Sequence, residues 1–154
     1  MSTIILFYEI QKRIEQFLEK FLVRTGAQHI FFAAKSGEVL VHSGLKKEER
    51  ISSITALLAG VFNATEELAK LVDEHQFKQL FIKGEAYNLF YQNINSKFLL
   101  VVIFKEETLL GFVRVLSQKL ADKLKKELEQ KKQTRNSILA NIDGETLMKD
   151  LFKK

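Results

Sequence analysis

Apolar residues recur along this chain in two rhythms. Over residues 4–24, Phe7, Ile10, Ile14, Phe17, Leu18 and Phe21 return every three or four positions, with Glu, Lys, Gln and Arg between them. That spacing predicts an amphipathic helix with one buried stripe, ended near Gly26. The rhythm then tightens. QHIFFAA at 28–34 and EVLVHSG at 38–44 are short, apolar and β-rich, and Ser36-Gly37 between them predicts a hairpin turn.

Helical spacing returns from Glu48 to about Glu74. Ile51, Ile54, Leu58, Val61, Thr65, Leu68 and Val72 form the expected core stripe, and Ala56, Ala59, Gly60 and Ala64 form a second strip of small residues. Glu48 and Glu49 fall in the first turn, where the helix dipole favours acids. Glycine costs about 1 kcal/mol relative to alanine inside a helix, so Gly60 predicts a close approach by another backbone. A second copy of the same helix is one candidate.

Three β-like runs follow at 77–84, 87–94 and 97–104, with breaks at Gly84-Glu85 and Asn95-Ser96 that suit antiparallel hairpins. The last run, KFLLVVIF, is the most continuously apolar and is expected at the centre of the sheet, covered on both faces. Thr108 opens a final helix with Leu110, Val113, Leu116, Leu120, Leu124 and Leu128 on one side, expected to dissolve at KKQTRN. The order helix-β-β-helix-β-β-β-helix predicts an α+β domain, a five-stranded antiparallel sheet flanked by helices, with a short C-terminal tail helix.

Composition narrows what such a domain does. The 154 residues suit one domain with one hydrophobic interior. Cysteine is absent, which removes disulfides and thiolate metal sites. The apolar opening has no basic residue ahead of it, is interrupted by Glu9 and is followed by no small-residue cleavage site, so a cytoplasmic location is expected. The net charge of +5 invites a nucleic-acid reading, but the excess is concentrated late. Residues 117–135 carry seven cations (Lys119, Lys123, Lys125, Lys126, Lys131, Lys132, Arg135) against Asp122, Glu127 and Glu129. No aromatic residue is interleaved with them, which weighs against a single-strand groove and favours a solvated helix face over a nucleic-acid or membrane surface.

Candidate chemistry is sparse. The strand-to-helix joint LLVVIFKEETLLGFVRVL holds Gly111 and Arg114, the kind of place where a phosphate loop or a catalytic arginine is sought. Neither G-x-x-x-x-G-K-[ST] nor G-x-G-x-x-G occurs. Gly111 is instead expected to let the helix start pack closely on the sheet, and Arg114 to lie on the helix surface. His29, His42 and His75 lack metal-ligand spacing, and Ser36, Ser43 and Ser52 lack a nucleophile's surroundings. The expectation is no catalytic residue, no metal and no cofactor.

Three stretches together resemble the roadblock, or dynein-light-chain, family: IFFAAKSGEVLVHSG, FKQLFIKGEAYNLFYQNI and FLLVVIFKEETLLGFVRVL. The short motifs S-G-E-V, K-G-E and L-G-F-V-R carry the resemblance by their order and spacing, and within the family it is to the bacterial gliding-motility type. Leu109 departs from the polar residue common before L-G-x-V-R. The resemblance implies a homodimer in which third strands join two sheets and second helices lie side by side. Carried onto this chain, that interface uses Ala56, Ala59, Gly60, Asn63, Ala64, Phe77, Gln79 and Phe81. It also implies a small Ras-like GTPase as partner, with hydrolysis stimulated without an inserted arginine finger. A scaffold subunit without effect on hydrolysis is the alternative.

The domain is expected to span 1–135, with a tail at 136–154. In that tail Asp143 can cap a helix whose Leu147/Leu151 and Met148/Phe152 pairs recur at four. Ile142, Leu147, Met148, Leu151 and Phe152 suit either a cover on the chain's own sheet or a tether for a partner's groove.

Overall fold

The structure, a computed structural model, describes residues 2–44 and 48–140. Its elements are α1 (Ser2–Thr25), β1 (His29–Ala34), β2 (Val39–Ser43), α2 (Glu48–Leu71), β3 (Gln79–Lys83), β4 (Asn88–Ile94), β5 (Phe98–Phe104) and α3 (Leu110–Ala140). All strand pairings are antiparallel, in the order β2-β1-β5-β4-β3. The run of apolar residues in β5 therefore stands at the centre, as its pattern predicts.

Alternation along β5 divides the interior in two. Leu100, Val102 and Phe104 face α1 and α3, joining Ile14, Leu18, Phe21, Ile30, Phe32, Phe90, Val113, Leu120 and Leu124. Leu99 and Val101 face the other way, joining Phe31, Tyr91 and the α2 residues Ile51, Leu58 and Phe62. A period of two places consecutive residues on opposite faces, so an unbroken apolar run is what a strand covered on both sides requires.

Turn chemistry fixes the register. Asn95 and Ser96 both have positive φ, 57° and 58°, the twist that matches a tight antiparallel connection, and the Lys97 N–H donates to the Ile94 carbonyl at 3.1 Å. Gly37, at φ 99°, turns β1 into β2 directly beneath α2. A Cβ there would lie 3.0 Å from the Ala56 Cα and 3.3 Å from the Ala59 Cβ, so glycine serves both the turn and the approach of the helix.

Three expectations are corrected. The last helix does not dissolve at KKQTRN but continues to Ala140, because Lys, Gln and Arg are good helix formers and nothing there breaks the backbone. Gly111 is exposed, with nothing within 4 Å of where its Cβ would stand, so close packing on the sheet is not its role. The buried residues of α2 are Ile51, Thr55, Leu58, Ala59, Phe62 and Ala69; of the expected stripe Ile51 and Leu58 are among them and Ile54 and Val61 pack half-buried on the same cluster, but its centre is rotated toward Phe62. Phe62 turns inward, 6.3 Å from Tyr91 between ring centroids, and Thr65 Oγ1 lies 3.1 Å from Tyr91 Oη. Leu68 is thereby turned out, 50% exposed, and Val72, just past the end of the helix, is 57% exposed. The expected tail helix, with Asp143 and its paired apolar residues, lies outside the described residues.

Candidate self-association surface

Among the described residues, the outward side of α2 carries a row of exposed apolar residues. Leu57, Gly60, Ala64, Leu68 and Leu71 follow one another at steps of three and four, and Leu57 and Leu71 are 74% and 82% exposed. That is the seam spacing by which two helices pack along their length. Gly60 has nothing within 4 Å of its absent Cβ, so the close approach it invites is not made by any described part of its own chain.

The remaining residues carried over by resemblance fall into three groups. Ala56, Asn63 and Ala64 are exposed on α2 beside Gly60. Ala59 is buried within the protomer, against the Gly37 turn. Phe77, Gln79 and Phe81 are half-buried in and before β3: Gln79 donates to Gln92 Oε1 at 2.8 Å across the β3/β4 pair, and Phe81 stacks on Phe104 with centroids 6.1 Å apart. Among the described residues, β3 ends the sheet with one side unpaired, and Ile82 on that strand is 45% exposed. An open strand edge offers a row of backbone donors and acceptors to another strand.

Leu57, Leu68, Leu71 and Val72 are not among the interface residues carried over by resemblance, although the three-and-four spacing from Leu57 to Leu71 is a usable signal for them. Beneath the helix, Lys35 pairs with Glu66 at 2.7 Å and lies 5.4 Å from the Phe62 ring. Burial raises the Tyr91 hydroxyl above its ordinary pKa, with nearby Glu66 adding to the shift and the Thr65 contact opposing it. Tyr91 thus stays neutral and structural.

Arg114 is exposed on α3, which packs on the sheet face opposite α2. Leu109, just before α3, and Phe112 and Val115 in its first turns are also exposed. Among the described residues, His29 and His42 each bury an Nδ1 without a hydrogen-bond partner, and burial lowers the His29 pKa. Among the described residues, no cluster of His, Cys, Asp or Glu could hold a metal ion, and no helix is long and apolar enough to cross a membrane. Ile142, Leu147, Met148, Leu151 and Phe152 lie outside the described residues.

The family model of the Roadblock/LC7 domain matches residues 13–104, from α1 through the whole of β5. The chain belongs to the Roadblock/LC7 family. Among solved roadblock structures it is similar to MglB of Myxococcus xanthus, 30% identical, covering 77% of this chain and 96% of that one with a TM-score of 0.73. It is likewise similar to the gliding protein MglB of Thermus thermophilus, 29% identical, covering 79% and 92% with a TM-score of 0.73. An uncharacterized protein of Aquifex aeolicus is 26% identical over 98% of this chain and 96% of its own length.

Proposed function

We propose that this roadblock protein is a homodimeric regulator of a small Ras-like GTPase that stimulates GTP hydrolysis and is not itself an enzyme. The observation that carries the dimer is the uncovered seam of Leu57, Gly60, Ala64, Leu68 and Leu71 on α2, together with the unpaired edge of β3. Leu80 of β3 packs against the same cluster that α2 covers, so one two-fold operation can pack α2 on its copy and bring the two β3 strands together. Burying a leucine side chain stabilises by about 1.5–3 kcal/mol, so the three leucines of the seam supply driving force comparable with the lower estimates of the entropy of association.

The GTPase partner is supported by the similarity to MglB gliding proteins at about 30% identity and by the gliding-motility resemblance of the sequence. Arg114 is not assigned to catalysis. An arginine finger must reach the transferred phosphate in the partner's site, and the gliding-motility resemblance implies stimulation without one. The tail at 136–154, with Ile142, Leu147, Met148, Leu151 and Phe152, is proposed to tether the partner.

The deciding experiment is single-turnover GTP hydrolysis by a small Ras-like GTPase of the same genome, with and without the full chain. Stimulation retained in Arg114→Ala supports regulation without an arginine finger. Binding without stimulation makes the chain a scaffold subunit, and a loss on the order of 10³-fold in Arg114→Ala with the dimer intact makes Arg114 the finger. Deleting residues 137–154 should change partner affinity. A lowered melting temperature with unchanged affinity would instead make the tail a cover on its own domain.

A further inference from the structure

On the side of the molecule away from α2, α1 and α3 pack against each other and form a groove. Its floor is apolar: Phe21, Leu116 and Leu120 are each less than a tenth exposed, and Phe17 is half-buried beside them. Its rims are cationic. Lys20 and Arg24 stand one turn apart on α1, Lys119 and Lys123 one turn apart on α3, and all four are exposed. Together with the floor they line a cavity of about 280 Å³ that includes no acidic residue.

Like charges one helical turn apart repel, and this groove is lined by two such pairs, one from each helix. Nearby acids are engaged elsewhere or lie outside the groove: Glu127 pairs with Arg13 at 3.0 Å, and Asp122 accepts from Gln118 at 3.3 Å. Among the described residues, none of the four rim cations forms an ion pair with a carboxylate. Lys123 instead lies 4.4 Å from the Phe17 ring centroid.

We propose that this groove binds an acidic amphipathic helix of a partner protein, its apolar stripe on Phe17, Phe21, Leu116 and Leu120 and its carboxylates on the two rims. Concavity favours a helix over a membrane, because an anionic bilayer is met best by apolar groups that protrude between cations, whereas these form a recessed floor. The chain's own tail is a poor occupant on charge. Asp143, Glu145 and Asp150 there are balanced by Lys149, Lys153 and Lys154. The groove lies across the sheet from the proposed dimer seam, so it stands or falls independently of self-association.

Fluorescence anisotropy on the full chain tests this with a labelled helix bearing a leucine stripe flanked by glutamates. The controls are its lysine-flanked counterpart, a version with serine in place of the stripe, and phosphatidylglycerol vesicles. The glutamate-flanked helix should bind, the two altered helices should not, and Lys20→Glu with Lys123→Glu should weaken binding about tenfold, as for two exposed ion pairs. The same double variant should gain affinity for the lysine-flanked helix, which also shows that it is folded. Lys125→Glu with Lys132→Glu, exposed on α3 but outside the groove, should leave binding within about twofold. An equal loss in that control pair, or equal binding of the serine version, would reduce the effect to net charge and overturn the proposal. So would groove-dependent binding of vesicles without binding of the helix.

Discussion

The two faces of the sheet are finished differently. Toward α1 and α3, two helices seal Leu100, Val102 and Phe104 within the chain's own interior. Toward α2, a single helix covers Phe31, Tyr91, Leu99 and Val101, and its far side still carries Leu57, Leu68, Leu71 and Val72 in the open. Both faces of the sheet are buried by the chain's own helices, but the far side of α2 also carries a row of large apolar residues in the open. Stability should therefore depend on both buried faces at any protein concentration, and on the far side of α2 only through association.

The strongest way to break that comparison is on the sealed side. Leu100→Ala, at a fully buried position of the central strand, should cost about 2–5 kcal/mol in urea unfolding. The loss should be the same in dilute and concentrated protein. A loss that shrinks at high concentration would mean the sealed face also depends on a partner.

On the open side, Leu68→Glu should weaken self-association by about 2 kcal/mol if Leu68 is central to the contact. Unfolding of the isolated protomer should change by no more than about 0.5 kcal/mol. Sedimentation at micromolar concentration should give twice 17.8 kDa for the unaltered chain and a shift toward monomer in the variant. Gly60→Leu should act in the same direction by overfilling the helix contact. A wholly monomeric parent protein would end the dimer proposal.

Under α2, Thr65→Val removes the hydroxyl that lies 3.1 Å from Tyr91 Oη and should cost about 1 kcal/mol in thermal or chemical unfolding. The smallest effect concerns His29. Burial lowers its pKa from the ordinary 6.5, so as pH falls the unfolded chain takes up that proton first. The stability contribution present above 6.5 is then lost until the folded His29 protonates in turn. Melting temperature followed from neutral to mildly acid pH should fall in this window, and less steeply in His29→Gln.

Period and turn chemistry make most of this architecture legible. The uninterrupted apolar run of β5 places it centrally, and Asn95-Ser96 marks its hairpin. The rotation of α2 is harder to read, because apolar residues occupy both of its sides and simple spacing fits two meridians. Packing chooses between them: Phe62 meets Tyr91, and Leu68 turns out as a result. The small-residue strip draws notice to Gly60 but cannot separate Ala59, buried under the Gly37 turn, from Ala64 in the open. The reach of α3 escapes the apolar pattern because the stripe ends before the helix does, and its polar residues retain helix propensity. The α1/α3 groove depends on two segments distant in sequence, so no local window shows it.

The placement of β5 between β1 and β4 also bears on how the chain is made. Ile30 pairs with Ser43 on one side and with Val102 on the other. The first partner is thirteen residues on, while the second emerges only after α2 and the next hairpin have been synthesised. Early in translation the nascent chain can form the β1/β2 hairpin, and later β3/β4, but it has no strand with which to join them. Until Phe98–Phe104 leaves the ribosome, both hairpins present inner edges that the finished sheet conceals, and that interval is when a chaperone would have most to shield.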